Sequence, residues 1–323
     1  MPRWNQWLFF GDDREGGCFP CLKQLCLDSC PNLTERSLFK SGTIEKLEIS
    51  SSYKFMESLP LDQYSRLNEL RLVSCENLKE LNLDIRDVIE SLEIVVCNKL
   101  VFPGNHRYAS IRKLRIAACD LIKSFPLDFF PGLKELELWE CLNLESITAF
   151  SEDNGIATLQ STLNSLTIDD CNNLRSLPQQ MHRLLPSLSN LEMAGCPKIE
   201  SFPEGGLPSS LRNLRIDDCN KLVAQHMHWD LHGLTSLKSL EISDCDVVLD
   251  SFPGGLLPIS LTSFHLRYLP HLKSLNGSTF QHVPSLHELV LLDCNELQCL
   301  PEQVLRPNFL RTLVIFGCPI LER

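Results

Sequence analysis

The sequence has no stretch approaching the roughly 20 apolar residues that a membrane-spanning helix needs. Its opening, MPRWNQWLFFGDD, breaks a short apolar run with Gly11, Asp12 and Asp13, well short of a secretory h-region. Both absences point to a cytoplasmic chain with reduced thiols and no membrane span. Positive charge is also scarce: 30 Lys and Arg stand against 41 Asp and Glu, a net charge of -11. Neutralising phosphates requires clustered cations, so a nucleic-acid partner is not expected. No GxxxxGK[ST] occurs to cradle a nucleotide, and no GxSxG to present a serine nucleophile. The expectation is a protein that is not an enzyme and carries no cofactor.

Cysteine, by contrast, is abundant. Fifteen occur in 323 residues, and their spacing explains them. The pattern LxxLxIxxC recurs thirteen times, opening at Leu22, Ile44, Leu67, Ile89, Ile111, Leu133, Leu163, Leu188, Leu211, Leu237, Leu261, Leu286 and Leu310 in steps of 22 to 30 residues. Eleven cysteines fill the ninth position: Cys30, Cys75, Cys97, Cys119, Cys141, Cys171, Cys196, Cys219, Cys245, Cys294 and Cys318, with Ser52 and Leu269 in the other two copies. Alternating apolar residues such as Leu166 and Ile168 predict one short strand per copy. A single unit cannot bury its apolar face, whereas stacked units pair their strands in parallel and share one core. Thirteen strands at about 4.8 Å make an arc of roughly 60 Å. Prolines in the return segments (Pro60, Pro126, Pro178, Pro203, Pro253, Pro301) disfavour long helices there. The predicted fold class is therefore an α/β-type solenoid dominated by β, its convex side mostly extended or in short 3-10 coils.

The pattern LxxLxLxxCxxLxxLP resembles the cytoplasmic plant type of leucine-rich repeat over about residues 20 to 323. CPNL, CPKIESFPEGGLPSSLRNLRI and CPILER look like the repeat region of coiled-coil nucleotide-binding immune receptors, the disease resistance proteins. The resemblance implies a recognition module that senses a pathogen effector or a host guardee. It also implies a second partner, the nucleotide-binding switch domain of the same receptor, which the repeats hold inactive. Residues 22–323 are expected to form the repeat domain. Residues 1–21, with Trp4, Trp7, Phe9 and Phe10, read as the return of a missing upstream repeat, in a fragment or truncated product lacking the nucleotide-binding half.

Two rivals are weighed beside this. Substrate-recognition repeats of an F-box ubiquitin ligase also carry cysteines but commonly return through helices, and no F-box-like segment precedes Leu22. A secreted wall-protein inhibitor would have Asn at the ninth position followed by GxIP. In that secreted case alone would the acceptor patterns Asn32-Leu-Thr34 and Asn276-Gly-Ser278 matter.

The repeated aspartates before the cysteine, in LTIDDC and LRIDDC, are not expected to bind metal. No histidine accompanies them, and neighbouring copies vary the pair to Ala194-Gly195 and Ser243-Asp244. The ninth-position thiols are expected to turn inward and bond the backbone as small, free, structural groups. HMHWDLH offers His226, His228 and His232 with Asp230. It lies in a single return segment, so no metal is expected there either. The longest insertion, residues 147 to 162, is expected to bulge from the convex side.

The concave side is expected to show positions two, three, five, seven and eight of each copy, with 12 basic and 18 acidic residues in all. At the centre, Glu48, Arg71, Glu93, Arg115 and Glu137 alternate in sign, and Glu192, Arg215 and Glu241 resume the pattern. Such a ladder neutralises itself for roughly 0.2 to 1 kcal/mol per pair. It serves either as a recognition strip or as a means of solubility and register. The uncharged exceptions are the better binding candidates: His265, Arg267 and Tyr268, then Val290 and Leu292, then Val314 and Phe316, with Trp139 standing alone. A C-terminal cap covering Val314 and Phe316 is the competing reading.

Overall fold

A computed structural model describes residues 19–30, 38–51, 59, 61–79, 81, 88–102, 107–148, 161–305 and 310–321. The leading segment's aromatics, Ser52, Pro60, the Asn32 acceptor pattern and most of the insertion lie outside these residues. In copy after copy the LxxLxI core is a five-residue strand. The early ones are β1 (Gln24–Asp28), β2 (Lys46–Ser50), β3 (Glu69–Val73), β4 (Ser91–Val95) and β5 (Lys113–Ala117). A short β6 (Ser124–Pro126) in the return path precedes β7 (Glu135–Trp139), and β8 (Ser146–Thr148) precedes β9 (Ser165–Asp169). The rest are β10 (Asn190–Ala194), β11 (Asn213–Asp217), β12 (Ser239–Ser243), β13 (Ser263–Arg267), β14 (Glu288–Leu292) and β15 (Thr312–Phe316). All but β6 and β8 form one 13-stranded sheet in chain order. Every neighbouring pair is parallel, with equal repeat positions facing each other, as in Leu166 beside Leu136 and Leu191.

Register follows from burial. On every strand of this sheet before β15, positions four and six are buried, completely so for Leu166 and Ile168. A one-residue slip would turn them to solvent and bring the charged rows into the core. The return paths are short and mostly irregular, as the prolines require. Among the described residues they contain α1 (Met181–Leu184), α2 (Asn220–Ala224) and α3 (Gly277–Phe280), plus single 3-10 turns. β6 and β8 pair in parallel on this side. The start of the predicted bulge, Ile147 and Thr148, is therefore part of a strand, with Ile147 buried. Aromatic rings fill the convex half of the core: Tyr108 stacks on Phe130 at 5.0 Å and Phe130 on Phe125 at 5.4 Å. Further along, Trp229 lies between Phe202 and Phe252.

Many of the ninth-position thiols lie against backbone carbonyls. Cys75, Cys97, Cys171 and Cys294 each reach two carbonyls, one at their own strand's end and one on the preceding strand, as for Cys171 with Asp169 O at 3.6 Å and Leu138 O at 3.8 Å. Cys30 through Cys294 are buried and free, and Cys318 is half-buried. Burial pushes the Cys119, Cys245 and Cys294 thiols up to about 12, leaving almost no thiolate at neutral pH. Iodoacetamide at pH 7 is therefore expected to label exposed Cys21, Cys26 and Cys299, while the buried thiols from Cys30 to Cys294 react only as the chain unfolds. Peptide mass spectrometry with and without urea checks this. Native labelling of Cys171 at the rate of Cys299 would contradict it.

One feature of the turn was missed from sequence. The eighth residue adopts a left-handed backbone in all thirteen copies, from Ser29 (φ 53°) through Asp170 (φ 50°) to Gly317 (φ 65°). Its N–H extends the ladder by one bond, as from Asp170 N to Ala194 O at 3.0 Å. Left-handed geometry favours Gly, Asn and Asp. At two positions glycine also leaves room, since a Cβ on Gly195 or Gly317 would sit 2.2 or 2.0 Å from the carboxylate oxygen of Asp170 or Asp293. The second aspartate of each DDC is a turn residue.

Candidate recognition face

The strand spacing turns equal repeat positions into continuous rows across the concave face. The central row bears out the alternating ladder as geometry. Arg71 lies 3.1 Å from both Glu48 and Glu93, and Arg115 contacts Glu93 at 3.9 Å and Glu137 at 3.7 Å. Thr167 interrupts it, and the pattern resumes with Arg215 between Glu192 at 3.4 Å and Glu241 at 3.5 Å. It then runs further than the sequence suggested, because His265 takes the next place between two carboxylates. His265 lies 3.5 Å from Glu241 and 3.4 Å from Glu288, with Arg267 3.2 Å from Glu241. Ser263 donates to Glu288 at 2.8 Å, and this bond, aided by His265, holds the Glu288 carboxyl below its usual range.

The outer rows behave differently, and the pooled count of charges conceals it. Row two carries six bases, Lys23, Arg112, Lys134, Arg212, Lys238 and Arg311, against Glu45 and Glu90. Rows seven and eight lie at the opposite ends of the same strands. They hold Glu140 after β7, Asp169 and Asp170 at β9, Asp217 and Asp218 at β11 and Asp244 at β12, with Ala194 and Gly195 of β10 in between. Arg215 reaches Asp217 at 3.0 Å, and no ion pair to the other five occurs among the described residues. The face is neutralised along its centre and polarised across its width.

That polarisation has a measurable consequence. Partial burial, reinforced by neighbouring carboxylates, raises the pKa of Asp169, Asp218 and Asp244. Acids with folded values above their unfolded ones favour the fold below the unfolded value, near 3.9. That contribution is lost as pH rises through the folded values. The double substitution Asp218→Asn, Asp244→Asn is expected to remove this loss. Both side chains are exposed, so the gain at pH 7 is only a few tenths of a kcal/mol. Urea midpoints compared at pH 4 and pH 7 test it; a double variant less stable at pH 7 would refute the repulsion.

The predicted binding residues lie in different settings. His265 and Arg267 belong to the ion-paired ladder, with side chains 15% and 31% exposed. Val290, read as part of an open apolar patch, is buried between His265 and Val314 in the register. Its neighbours shield it because β-branched and aromatic side chains close over a parallel row. Leu292 is half-buried, and Tyr268 is 48% exposed on the left-handed turn. Val314 and Phe316 are exposed on β15, but so are Leu313 and Ile315, whose equivalents on the other twelve strands are buried. That exposure belongs to the edge of the sheet as much as to its concave face. Trp139 is half-buried, with the Arg115 guanidinium 4.9 Å above its ring.

A second apolar row escaped the sequence reading. Val73, Val95, Ala117 and Trp139 adjoin one another at position seven of β3, β4, β5 and β7, with Val96 and Ala118 beside them. Each is unremarkable alone. Only their lateral order, every 22 residues, shows the row.

The remaining polar motifs are structural. His226 bridges Val223 O at 3.1 Å and Ser251 O at 3.2 Å, Trp229 donates to Leu222 O, and His232 meets Asp230 at 2.7 Å. Both His226 nitrogens are thereby engaged. Among the described residues no group of three or more His, Cys, Asp or Glu is arranged to hold a metal ion. Asn276 caps α3 by accepting from Ser278 N at 3.2 Å. No described helix is long and apolar enough to cross a membrane.

No family model matches the chain. A curated protein of Arabidopsis thaliana, named "Putative disease resistance protein", is 30% identical over 172 residues, covering 45% of this chain and 12% of that protein. The chain thus spans only a small part of the relative it matches. Among solved structures, a leucine-rich repeat protein of Leptospira interrogans aligns with 91% of this chain and 89% of its own at 17% identity and a TM-score of 0.41. The TLR13–ssRNA13 complex aligns with 92% of this chain and 46% of its own at 16% identity and a TM-score of 0.46. Neither likeness is close, and the sheet itself carries the assignment. With a thirteenfold period, an inward cysteine at the end of nearly every strand and one parallel in-register sheet, the chain is a leucine-rich repeat solenoid, similar in part to a plant disease resistance protein.

Proposed function

We propose that this solenoid is the non-catalytic protein-recognition module of a plant intracellular immune receptor. It works in the cytoplasm, senses a pathogen effector or a guarded host protein, and restrains the receptor's nucleotide-binding switch domain. One observation carries the reading: thirteen strands present five side-chain rows on one face, and no described element packs over them. Wide, pre-formed and polar-rimmed, such a face suits a protein surface. The partial similarity to a plant disease resistance protein supports that biological class. The F-box rival expects helical returns, whereas the three α-helices described here have four or five residues each.

The test is restraint in trans. The receptor's nucleotide-binding half is expressed in leaf cells with and without this chain, and cell death is scored. The chain is expected to suppress it, and Trp139→Ala with Tyr268→Ala to relieve suppression at equal protein levels. A chain that leaves cell death unchanged would reject restraint of the switch.

A further inference from the structure

We infer that the end of the concave face formed by rows seven and eight binds an extended, two-block segment of a partner protein, apolar along one half and rich in Lys and Arg along the other. The inference rests on the recognition reading above and names the chemistry of the partner. Along these rows apolar residues give way to acidic ones. In row seven β3 to β7 are apolar, through Val73, Val95, Ala117 and Trp139, with Glu140 beside Trp139 in row eight; β9, β11 and β12 are acidic, through Asp169, Asp217, Asp218 and Asp244, with the small Ala194 and Gly195 of β10 between them. In row seven the first acid directly follows the last apolar residue, Asp169 lying beside Trp139 in the register.

Charge complementarity selects the occupant. The acids are neighbours along the row, and of them only Asp217 makes an ion pair among the described residues, so the row repels itself until a partner brings positive charge. The turn does not require that charge. Its left-handed backbone is met by serine at Ser29, Ser51 and Ser74, and by glycine at Gly195 and Gly317. The acidic row ends at a notch of about 310 Å³ lined by Asp244, Asp246, Tyr268, Asp293 and Asn295. Tyr268 offers an exposed ring there, and an aromatic face beside carboxylates suits an ammonium or guanidinium group. On the apolar side Trp139 is already held in place by Arg115, which lowers the entropy lost when it anchors a partner. The span from β3 to β12 is about 34 Å, the length of roughly ten extended residues.

The experiment uses the full chain and fluorescein-labelled 12-residue peptides: one with six Leu, Val and Phe followed by six Lys and Arg, one with the same composition strictly alternating, and one with Glu and Asp replacing the bases. Fluorescence anisotropy is read at 50 and 200 mM salt. The block peptide is expected to bind at least tenfold more tightly than the alternating isomer, and the acidic peptide not to bind. Asp218→Asn with Asp244→Asn is expected to weaken the block peptide at least tenfold at low salt. Trp139→Ala is expected to weaken it at both salt concentrations, and Arg212→Gln with Lys238→Gln, in row two, to leave it unchanged. Equal affinity for the block and alternating isomers would overturn the proposal, as would binding indifferent to both the aspartate and the tryptophan changes. Failure here alongside restraint lost on Trp139→Ala with Tyr268→Ala would reject the two-block partner and keep the recognition module. Peptide binding without restraint would do the opposite.

Discussion

Ile168→Asp is expected to unfold the repeats around β9. Ile168 is fully buried, between Leu138 and Met193 in the register, so the substitution sets a carboxylate among apolar side chains without a counter-charge. Losses from such changes exceed about 4 kcal/mol, against total stabilities of roughly 5–15 kcal/mol. A solenoid transmits the damage in one dimension, because each coil is supported only by its two neighbours. Urea titration followed by circular dichroism is expected to show the single transition replaced by two, or native signal lost. The control is one residue away: Thr167→Asn changes the central row, where Thr167 is half-buried, and is expected to move stability by no more than about 0.5 kcal/mol. Comparable effects at both positions would mean that the strand does not alternate as described.

Glu241→Ala is expected to cause the next largest loss. Its carboxylate, 15% exposed, is contacted by Arg215, His265 and Arg267, and it is the only acid that contacts Arg267 among the described ion pairs. Removing it leaves that guanidinium half-desolvated beside a histidine, 3.4 Å away. Glu241 Oε1 and Arg267 Nε make no aligned hydrogen bond, so attraction of charge holds the group together. The cost is accordingly set below that of a fully buried pair, at about 2–3 kcal/mol. Glu241→Gln keeps the volume and is expected to cost about the same, because the charge is what matters. A drop below 0.5 kcal/mol for Glu241→Ala would show the ladder's late part to be ornamental.

Much of this was legible in the sequence for a simple reason: each repeat writes its own local pattern. The alternation of Leu166 and Ile168 names a strand, and the recurrence of cysteine eight residues after eleven of the thirteen opening residues names an inward turn position. The alternation of Glu48, Arg71 and Glu93 foretold their pairing once parallel register was assumed. The candidate binding residues were less well read. Val290 looked open because valine on an outward row counts as exposed until its lateral neighbours are known. Phe316 looked like a concave anchor, and Leu313 and Ile315 show that it shares its exposure with an uncovered edge. Pooling all outward charges gave only an acidic excess, 18 against 12, and hid that row two is mainly basic while rows seven and eight are mainly acidic. The apolar row ending at Trp139 was overlooked because its members lie 22 residues apart.

By itself the sequence determined the period, the strand within each period, the face each strand buries and the structural role of the thiols. These depend on neighbours within about nine residues, and the same pattern repeats thirteen times. Only the tertiary structure decided which side chains form a row, where charge is cancelled and where it accumulates, and that the eighth residue is left-handed in every copy. Those properties arise between coils, through lateral contacts 22 to 33 residues apart in the chain and a backbone bond to the next strand, as from Asp170 N to Ala194 O.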